Sequence, residues 1–244
     1  MKEKRFYFDG ELSENCEIVY DGEEFHHLSN VMRAKEGDKL ILFNGNGCFY
    51  HAEIKELAKK FAKIAILSCE ESENEPKVEL CIYQALAKGD KLSLIMQKIT
   101  EIGASELAIF DSEFCDVKAN TTRVDRLEAI AISAAKQCGR ATITTQTGVY
   151  NFKEIAENIK QYDAFYVAYE NEDGLTLAKD LIENKQKLSK VAVMIGAEGG
   201  FSADEINILK NSGAKIVSLG NRILRTETAA IVTAGLVMQI LETT

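Results

Sequence analysis

Apolar residues in the first seventy positions come in short runs broken by turn formers: residues 39–43, 48–54 and 61–67, with Asn44-Gly45-Asn46-Gly47 between the first two. Runs of that length around an Asn-Gly turn predict strands joined as hairpins. Together they predict a small β-barrel over residues 1–72, with residues 25–33 as a short helix closing one end. Residues 69–76 then carry no apolar side chain after Cys69, gather Glu70, Glu71, Glu73 and Glu75, and end in the only proline of the chain. That composition predicts an interdomain linker.

From residue 76 to 244 the pattern alternates between strands and helices. Residues 78–85, 107–110, 165–169, 191–195 and 216–219 read as strands. Leu92, Ile95, Met96, Ile99 and Ile102 mark one helical face ended by Gly103; Leu127, Ile130, Ala131, Ala134, Ala135 and Cys138 mark another ended by Gly139. Asn151 with Glu154, and Ser202 with Glu205, have the spacing of capping boxes, the second stapled by Phe201 and Ile206. This alternation predicts an α/β domain with a mainly parallel sheet covered by helices on both faces. Residues 226–241 are apolar nearly all round, which predicts a buried helix. The segment is too short and too interrupted, by Thr233, Gly235 and Gln239, to span a bilayer. Its cover is expected from a second copy of the chain, a homodimer.

Two glycine turns follow apolar strands near the end of the chain. Ile195 runs into Gly196-Ala197-Glu198-Gly199-Gly200, and a second strand ends at Leu219-Gly220. Ligands of open α/β sheets gather outside the carboxyl ends of strands, and glycine allows close approach of backbone to a ligand. Ser202 and Glu205 serve the following helix, whereas Glu198 stands between glycines, where no helix needs it.

Size and charge narrow the function. With 244 residues, 46% hydrophobic, the chain is long enough for one large domain or two smaller ones. No apolar stretch follows the charged N-terminus, so a cytoplasmic protein is expected. Cys16, Cys48, Cys69, Cys81, Cys115 and Cys138 form no C-x-x-C pair, and His26, His27 and His51 complete no zinc pattern, so free thiols and no metal are expected. The net charge of −9 argues against a polyanionic partner. The acidic excess falls in residues 1–75 and 151–244, however, and residues 76–150 are balanced.

Neither G-x-G-x-x-G after a first strand nor a P-loop nor G-x-S-x-G occurs. What does occur is Ile195-Gly196-Ala197-Glu198-Gly199-Gly200-Phe201-Ser202-Ala203-Asp204-Glu205 together with Leu219-Gly220-Asn221-Arg222-Ile223-Leu224-Arg225-Thr226-Glu227-Thr228-Ala229-Ala230. Ahead of them stand His26-His27-Leu28 through Arg33, Gly37-Asp38, the turn after Phe43, Lys88-Gly89-Asp90-Lys91, Gln97-Lys98 through Gly103, and Ala135 through Arg140. In residues and order this resembles the RsmE family of ribosomal small-subunit RNA (uracil-N3)-methyltransferases, of the SPOUT superfamily.

The resemblance implies a PUA-like RNA-binding β-barrel over residues 1–72, then a SPOUT α/β domain over 76–244 with a C-terminal trefoil knot. It implies S-adenosylmethionine as cofactor, in a pocket walled by Tyr169, Ile195, Gly196, Glu198, Gly199, Gly200, Leu219, Gly220, Ile223, Leu224, Thr228 and Ala229. The substrate would be small-subunit (16S) ribosomal RNA, bound by Arg5, Arg33 and Lys35 of the barrel and by Lys88, Lys91, Arg140 and Arg222 around the pocket. Methylating a uracil ring nitrogen requires removal of its proton, and Arg225 would stabilise the resulting charge on the ring oxygens, unless it binds a phosphate. The proton acceptor stays open between Glu198, Glu227 and solvent. Three positions depart from the family pattern: Ala197 replaces proline, Glu113-Phe114-Cys115 replaces Glu-Arg-Ser, and Cys138 replaces serine. A non-catalytic RNA-binding ribosome-assembly factor predicts no binding of the cofactor; an enzyme of small metabolites predicts methylation of a small compound and not of RNA.

Overall fold

The structure, a computed structural model, describes residues 4–116 and 126–243. The chain forms two compact units, one of residues 1–75 with 135–143 and one of residues 76–134 with 144–244. Among the described residues no helix is long and apolar enough to cross a membrane.

The first unit is built on a five-stranded sheet of β1 (Arg5–Tyr7), β2 (Glu17–Tyr20), β3 (Lys39–Phe43), β4 (Cys48–Leu57) and β5 (Ala62–Glu71), in the order β1-β3-β4-β5-β2. β1 runs parallel to β3 and the other pairings are antiparallel. Alternation along the strands sends Leu40, Leu42, Tyr50, Ala52, Ile54, Ile64 and Ile66 inward onto Phe6, Phe25 and Leu28. Register shifts at His51/Ala52 and Ile54/Glu56 mark irregularities that bend β4 against β5. The sheet curls until its two edges meet, where the Tyr20 hydroxyl of β2 donates to the Tyr7 carbonyl of β1 at 2.9 Å. The helix expected over residues 25–33 is α1 (Gly22–His26) running into a π-helical turn, His27–Val31, with Phe25 and Leu28 buried beneath it.

The acidic run expected as an interdomain linker does contain the boundary between the units, after Glu75, but most of it is built into the first unit. Its first residues, to Glu71, belong to β5, and Glu75 enters a buried cluster. The Glu75 carboxylate accepts from Arg140 Nε at 3.1 Å, from the backbone N–H of Ala141 at 2.6 Å and of Thr142 at 3.1 Å, and from the Thr142 hydroxyl. Burial pushes this carboxyl up, but the Thr142 and Ala141 hydrogen bonds and the Arg140 charge outweigh it and hold the carboxyl below its usual range. A depressed folded-state pKa stabilises above the unfolded value, about 4.3, and that contribution is lost as pH falls through the folded value. Glu75→Leu leaves the Arg140 charge without this buried partner and is expected to cost roughly 3 kcal/mol. Urea unfolding at pH 7 and pH 3 should show the difference between wild type and variant shrinking at the lower pH.

The second unit holds β6 (Glu79–Ala85), β7 (Glu106–Phe110), β8 (Thr145–Tyr150), β9 (Ala164–Ala168), β10 (Lys190–Ile195) and β11 (Lys215–Val217), every pairing parallel, in the order β11-β9-β10-β6-β7-β8. Central strands β6, β7 and β10 are near-continuous apolar runs because helices cover both faces. The helices are α2 (Lys91–Ile102), α3 (Leu127–Cys138), α4 (Phe152–Asn158), α5 (Leu177–Asn184), α6 (Ala203–Asn211) and α7 (Thr226–Glu242). α2 buries Leu92, Ile95, Met96 and Ile99, the face its spacing predicts, and ends at Gly103 in the left-handed region. The Asn151 and Ser202 capping boxes both form. α3 begins in the second unit, and its last turn, from Ala135, belongs to the first, where Ala135 and Ala141 pack with Ile41, Phe43 and Phe49.

α7 is covered less fully than its composition suggested. Ala229, Ala230, Ala234, Val237 and Met238 are buried against α2, α5, β6 and β10, whereas Val232 is 41% exposed and Leu236 and Ile240 are half-buried.

Candidate active site

Strand order reverses between β6 and β10: β7 and β8 lie on one side, β9 and β11 on the other. Such a switch point leaves a crevice at the carboxyl ends of the strands, where loops on either side diverge. Because all six strands are parallel, the loops after every one of them leave that edge, those after β6, β7, β9, β10 and β11 carrying the candidate residues and their neighbours. β9 lies between β10 and β11, so the two glycine turns start about 10 Å apart, two strand spacings, with Tyr169 directly after the strand between them.

The first turn is shaped by close approach. Gly200 has φ +73°, and its N–H donates to the Ala197 carbonyl at 3.0 Å. A Cβ on Gly199 would stand 2.7 Å from Phe114 Cβ and 3.1 Å from the Phe114 carbonyl. Phe201 leaves the turn inward, stacked 4° from parallel on Phe110 of β7. Ser202 caps α6, and the Glu205 carboxylate, 7% exposed, accepts from the backbone N–H of Ser202 at 2.8 Å and of Glu113 at 2.8 Å. The Ser202 contact is the one the capping-box spacing predicted; the Glu113 contact adds a second structural role for Glu205.

Charge gathers beside this turn. Lys91, at the start of α2, donates to Glu198 Oε1 at 2.6 Å and stands 3.5 Å from Glu227 Oε2 in the first turn of α7. That second oxygen is buried and has no hydrogen-bond partner. Burial pushes the Glu198 carboxyl up, but the Lys91 hydrogen bond and charge, with backbone N–H groups of Glu198 and Lys88, hold it below the usual range. The hydrogen bond to Glu198 in turn raises Lys91, against its desolvation. The pair is ionised at neutral pH, so Lys91 is committed to two carboxylates and is not a free cation.

The loop after β11 carries the remaining candidates. The Tyr169 N–H donates to the Val217 carbonyl at 3.0 Å, and Tyr169, half-buried, accepts through its hydroxyl from Asn171 at 3.0 Å. Leu219 and Leu224 are half-buried, Gly220 is exposed with φ +105°, Thr228 is half-buried and Ala229 buried. Arg222 and Arg225 are exposed and make no ion pair among the described residues. Arg225 caps α7, with its carbonyl accepting from Ala229 N–H at 2.8 Å. Ile223 was expected as an apolar wall, but it is 89% exposed and lines nothing in this structure; its neighbour Leu224 is the one that turns in.

The basic candidates separate. Lys88 is paired with Asp116 at 2.7 Å. In the first unit Arg33 and Lys35 are exposed, Arg33 with a positive φ of 49°, while the Arg5 guanidinium lies 5.1 Å over the Phe49 ring. Arg140 belongs to the first unit, is 6% exposed and is held by Glu75, so it braces that unit. Two residues missed from the sequence are Thr226 and Gln84. The Thr226 hydroxyl donates to the Gly196 carbonyl at 2.7 Å and accepts from Gln84 at 2.8 Å. A lone amide in an apolar strand was the available signal. Among the described residues no group of three or more His, Cys, Asp or Glu side chains gathers to hold a metal.

Comparison with known proteins places these features. A family model described as an RNA methyltransferase domain matches residues 73–238, and one described as an RNA methyltransferase PUA domain matches residues 20–67. The ribosomal RNA small subunit methyltransferase E of Bacillus subtilis (strain 168) is 31% identical over 218 residues, covering 86% of this chain and 85% of that protein. A Legionella pneumophila methyltransferase solved with the cofactor SAM superposes with a TM-score of 0.87 at 30% identity, covering 98% of each chain. The ribosomal RNA small subunit methyltransferase E of Neisseria gonorrhoeae, bound to S-adenosyl methionine, superposes with a TM-score of 0.85 at 28% identity, covering 95% of each.

Proposed function

Because the chain belongs to the RsmE family of ribosomal small-subunit RNA methyltransferases, we propose that it transfers a methyl group from S-adenosylmethionine to N3 of a uridine in 16S ribosomal RNA. The observation that carries this reading is the pair of glycine turns leaving one edge of the parallel sheet on either side of β9, the first of them beside the switch point. The cofactor fits what stands there. Gly199 and Gly200 leave open backbone where a side chain would collide or strain, Ile195 and Leu224 supply apolar surface, and Tyr169 stands between the bends. The chain's return past Gly196 into α7 is read as the trefoil knot of the superfamily. When bound, the cofactor supplies a methyl group from its sulfonium.

The residues of the chain then have distinct tasks. Arg225, exposed and without an ion-pair partner among the described residues, faces the charge that spreads onto the uracil oxygens once N3 has lost its proton. Glu198, held ionised by Lys91, has lowered proton affinity and serves the wall of the turn better than the proton transfer. The proton acceptor is then Glu227, in the first turn of α7, or solvent. Arg222 in the second unit, with Arg5, Arg33 and Lys35 in the first, contacts RNA phosphates, and the target base is splayed from its helix to expose N3. The half-open face of α7 around Val232 and Leu236 is the dimer contact, and ribosomal RNA as substrate puts the protein in the cytoplasm.

The test is nucleoside mass mapping of 16S RNA from cells with and without the gene, followed by methylation of the deficient subunits by purified protein whose mass in solution is measured by light scattering. Loss and restoration of one 3-methyluridine by a dimer is the expected result. Cofactor binding without RNA methylation would sink the assignment, and no cofactor binding at all would favour a non-catalytic assembly factor.

A further inference from the structure

A single amide lies in the middle of the parallel sheet. Gln84 of β6 is 0% exposed, where an unbonded polar group is costly. Its Nε2 donates to the Ala85 carbonyl at 3.0 Å and to Thr226 Oγ1 at 2.8 Å, while its Oε1 is buried without a partner. The Ala85 carbonyl sets the orientation of the amide, since the reverse orientation would put oxygen against oxygen. With Nε2 donating to it, the Thr226 hydroxyl has one proton to give, and that proton goes to the Gly196 carbonyl at 2.7 Å. A directed relay thus runs from the strand at the switch point, through the first residue of α7, to the first peptide of the glycine turn.

For stability alone this is a poor arrangement. Apolar groups of the same shape would replace the relay at little cost, whereas the amide leaves one buried oxygen unpaired. Position gives the relay another use. Thr226 directly follows Arg225, which makes no side-chain cap of its own and is otherwise exposed, so the clamp on Thr226 is what ties this arginine's backbone to the turn at Gly196.

We infer that Gln84 and Thr226 are positioning residues that lock the cofactor turn and Arg225 in one register, so that methyl group and guanidinium are presented together to the base. This rests on the reading that the turn binds S-adenosylmethionine. Removing the hydroxyl leaves the Gly196 carbonyl unpaired and frees the two segments to drift.

The experiment uses full-length Thr226→Val, Thr226→Ser and Gln84→Leu. Calorimetry gives the affinity for S-adenosylmethionine, turnover on deficient small subunits gives kcat at saturating donor, and a thermal melt reports the fold. Thr226→Val should weaken donor binding about tenfold and lower kcat about tenfold, and Thr226→Ser, which keeps the hydroxyl, should stay within about twofold of wild type in both. A lowered melting temperature with unchanged affinity and kcat would reduce the relay to core packing and overturn the inference. If Thr226→Val does not fold, Gln84→Leu, which keeps the hydroxyl but removes the group that orients it, carries the same two outcomes. Wild-type protein that binds no S-adenosylmethionine would overturn the site reading, and the inference with it; wild-type binding with indifferent variants would overturn the inference alone.

Discussion

Arg225→Ala should lower kcat for RNA methylation by about 10²–10³ while leaving the affinity for S-adenosylmethionine within a few-fold of wild type. Removal of one preorganised donor from a developing oxyanion commonly has that effect on rate. The structure supplies the preconditions. Arg225 is exposed, makes no ion pair among the described residues and forms the N-terminal cap of α7. Its guanidinium brings positive charge and a planar fork of donors, and the helix terminus adds partial positive charge at the same place. Both favour an anion there, and in the proposed reaction the uracil ring becomes one when N3 loses its proton.

The competing role, a phosphate contact, is separated by which kinetic constant moves. Loss of a phosphate contact weakens RNA binding about equally in ground and transition states, so KM for RNA rises and kcat holds; loss of an oxyanion contact lowers kcat. Arg225→Lys keeps the charge without the planar fork and should recover part of the rate. Unchanged kcat in Arg225→Ala, with only KM for RNA raised, would assign this arginine to the backbone of the RNA.

How far the sequence carried depends on the range of the interactions involved. The Ser202 and Asn151 capping boxes, the buried face of α2 and the two glycine turns were legible because each is settled within a few residues. β1 and β2 were not read because three or four residues show no period, and β8 was not read because as an edge strand it exposes much of its length and carries Thr145, Gln146 and Thr147. Pairings between distant residues were invisible. Lys91 reads as one more surface cation until Glu198, 107 residues further on, closes upon it. Arg140 reads the same way until Glu75, 65 residues earlier, draws it into the interior. The first unit's recruitment of residues 135–143 was hidden for a related reason: an apolar helical face does not say which unit it serves.

Gly200→Val should weaken S-adenosylmethionine binding at least tenfold and reduce methylation accordingly, with the sheet intact. Gly200 has φ +73°, a conformation in which a β-branched residue is a genuine outlier, and the left-handed region costs an ordinary L-residue about 1–2 kcal/mol. Its new Cβ would also stand 2.8 Å from Glu170 Oε1, a flexible side-chain end that can yield, so backbone strain decides the outcome. The turn relieves it by rotating the Gly199–Gly200 peptide. That rotation breaks the bond from Gly200 N–H to the Ala197 carbonyl and shifts Glu198 off Lys91. Since tenfold in affinity corresponds to about 1.4 kcal/mol, strain of this size accounts for the expected loss. The helix that follows should survive, because Ser202 and Glu205 cap it independently of the turn's φ angles. Calorimetric titration alongside circular dichroism checks both halves: wild-type affinity in Gly200→Val would remove the turn from the cofactor site, and a collapsed spectrum would make the glycine a requirement of folding instead.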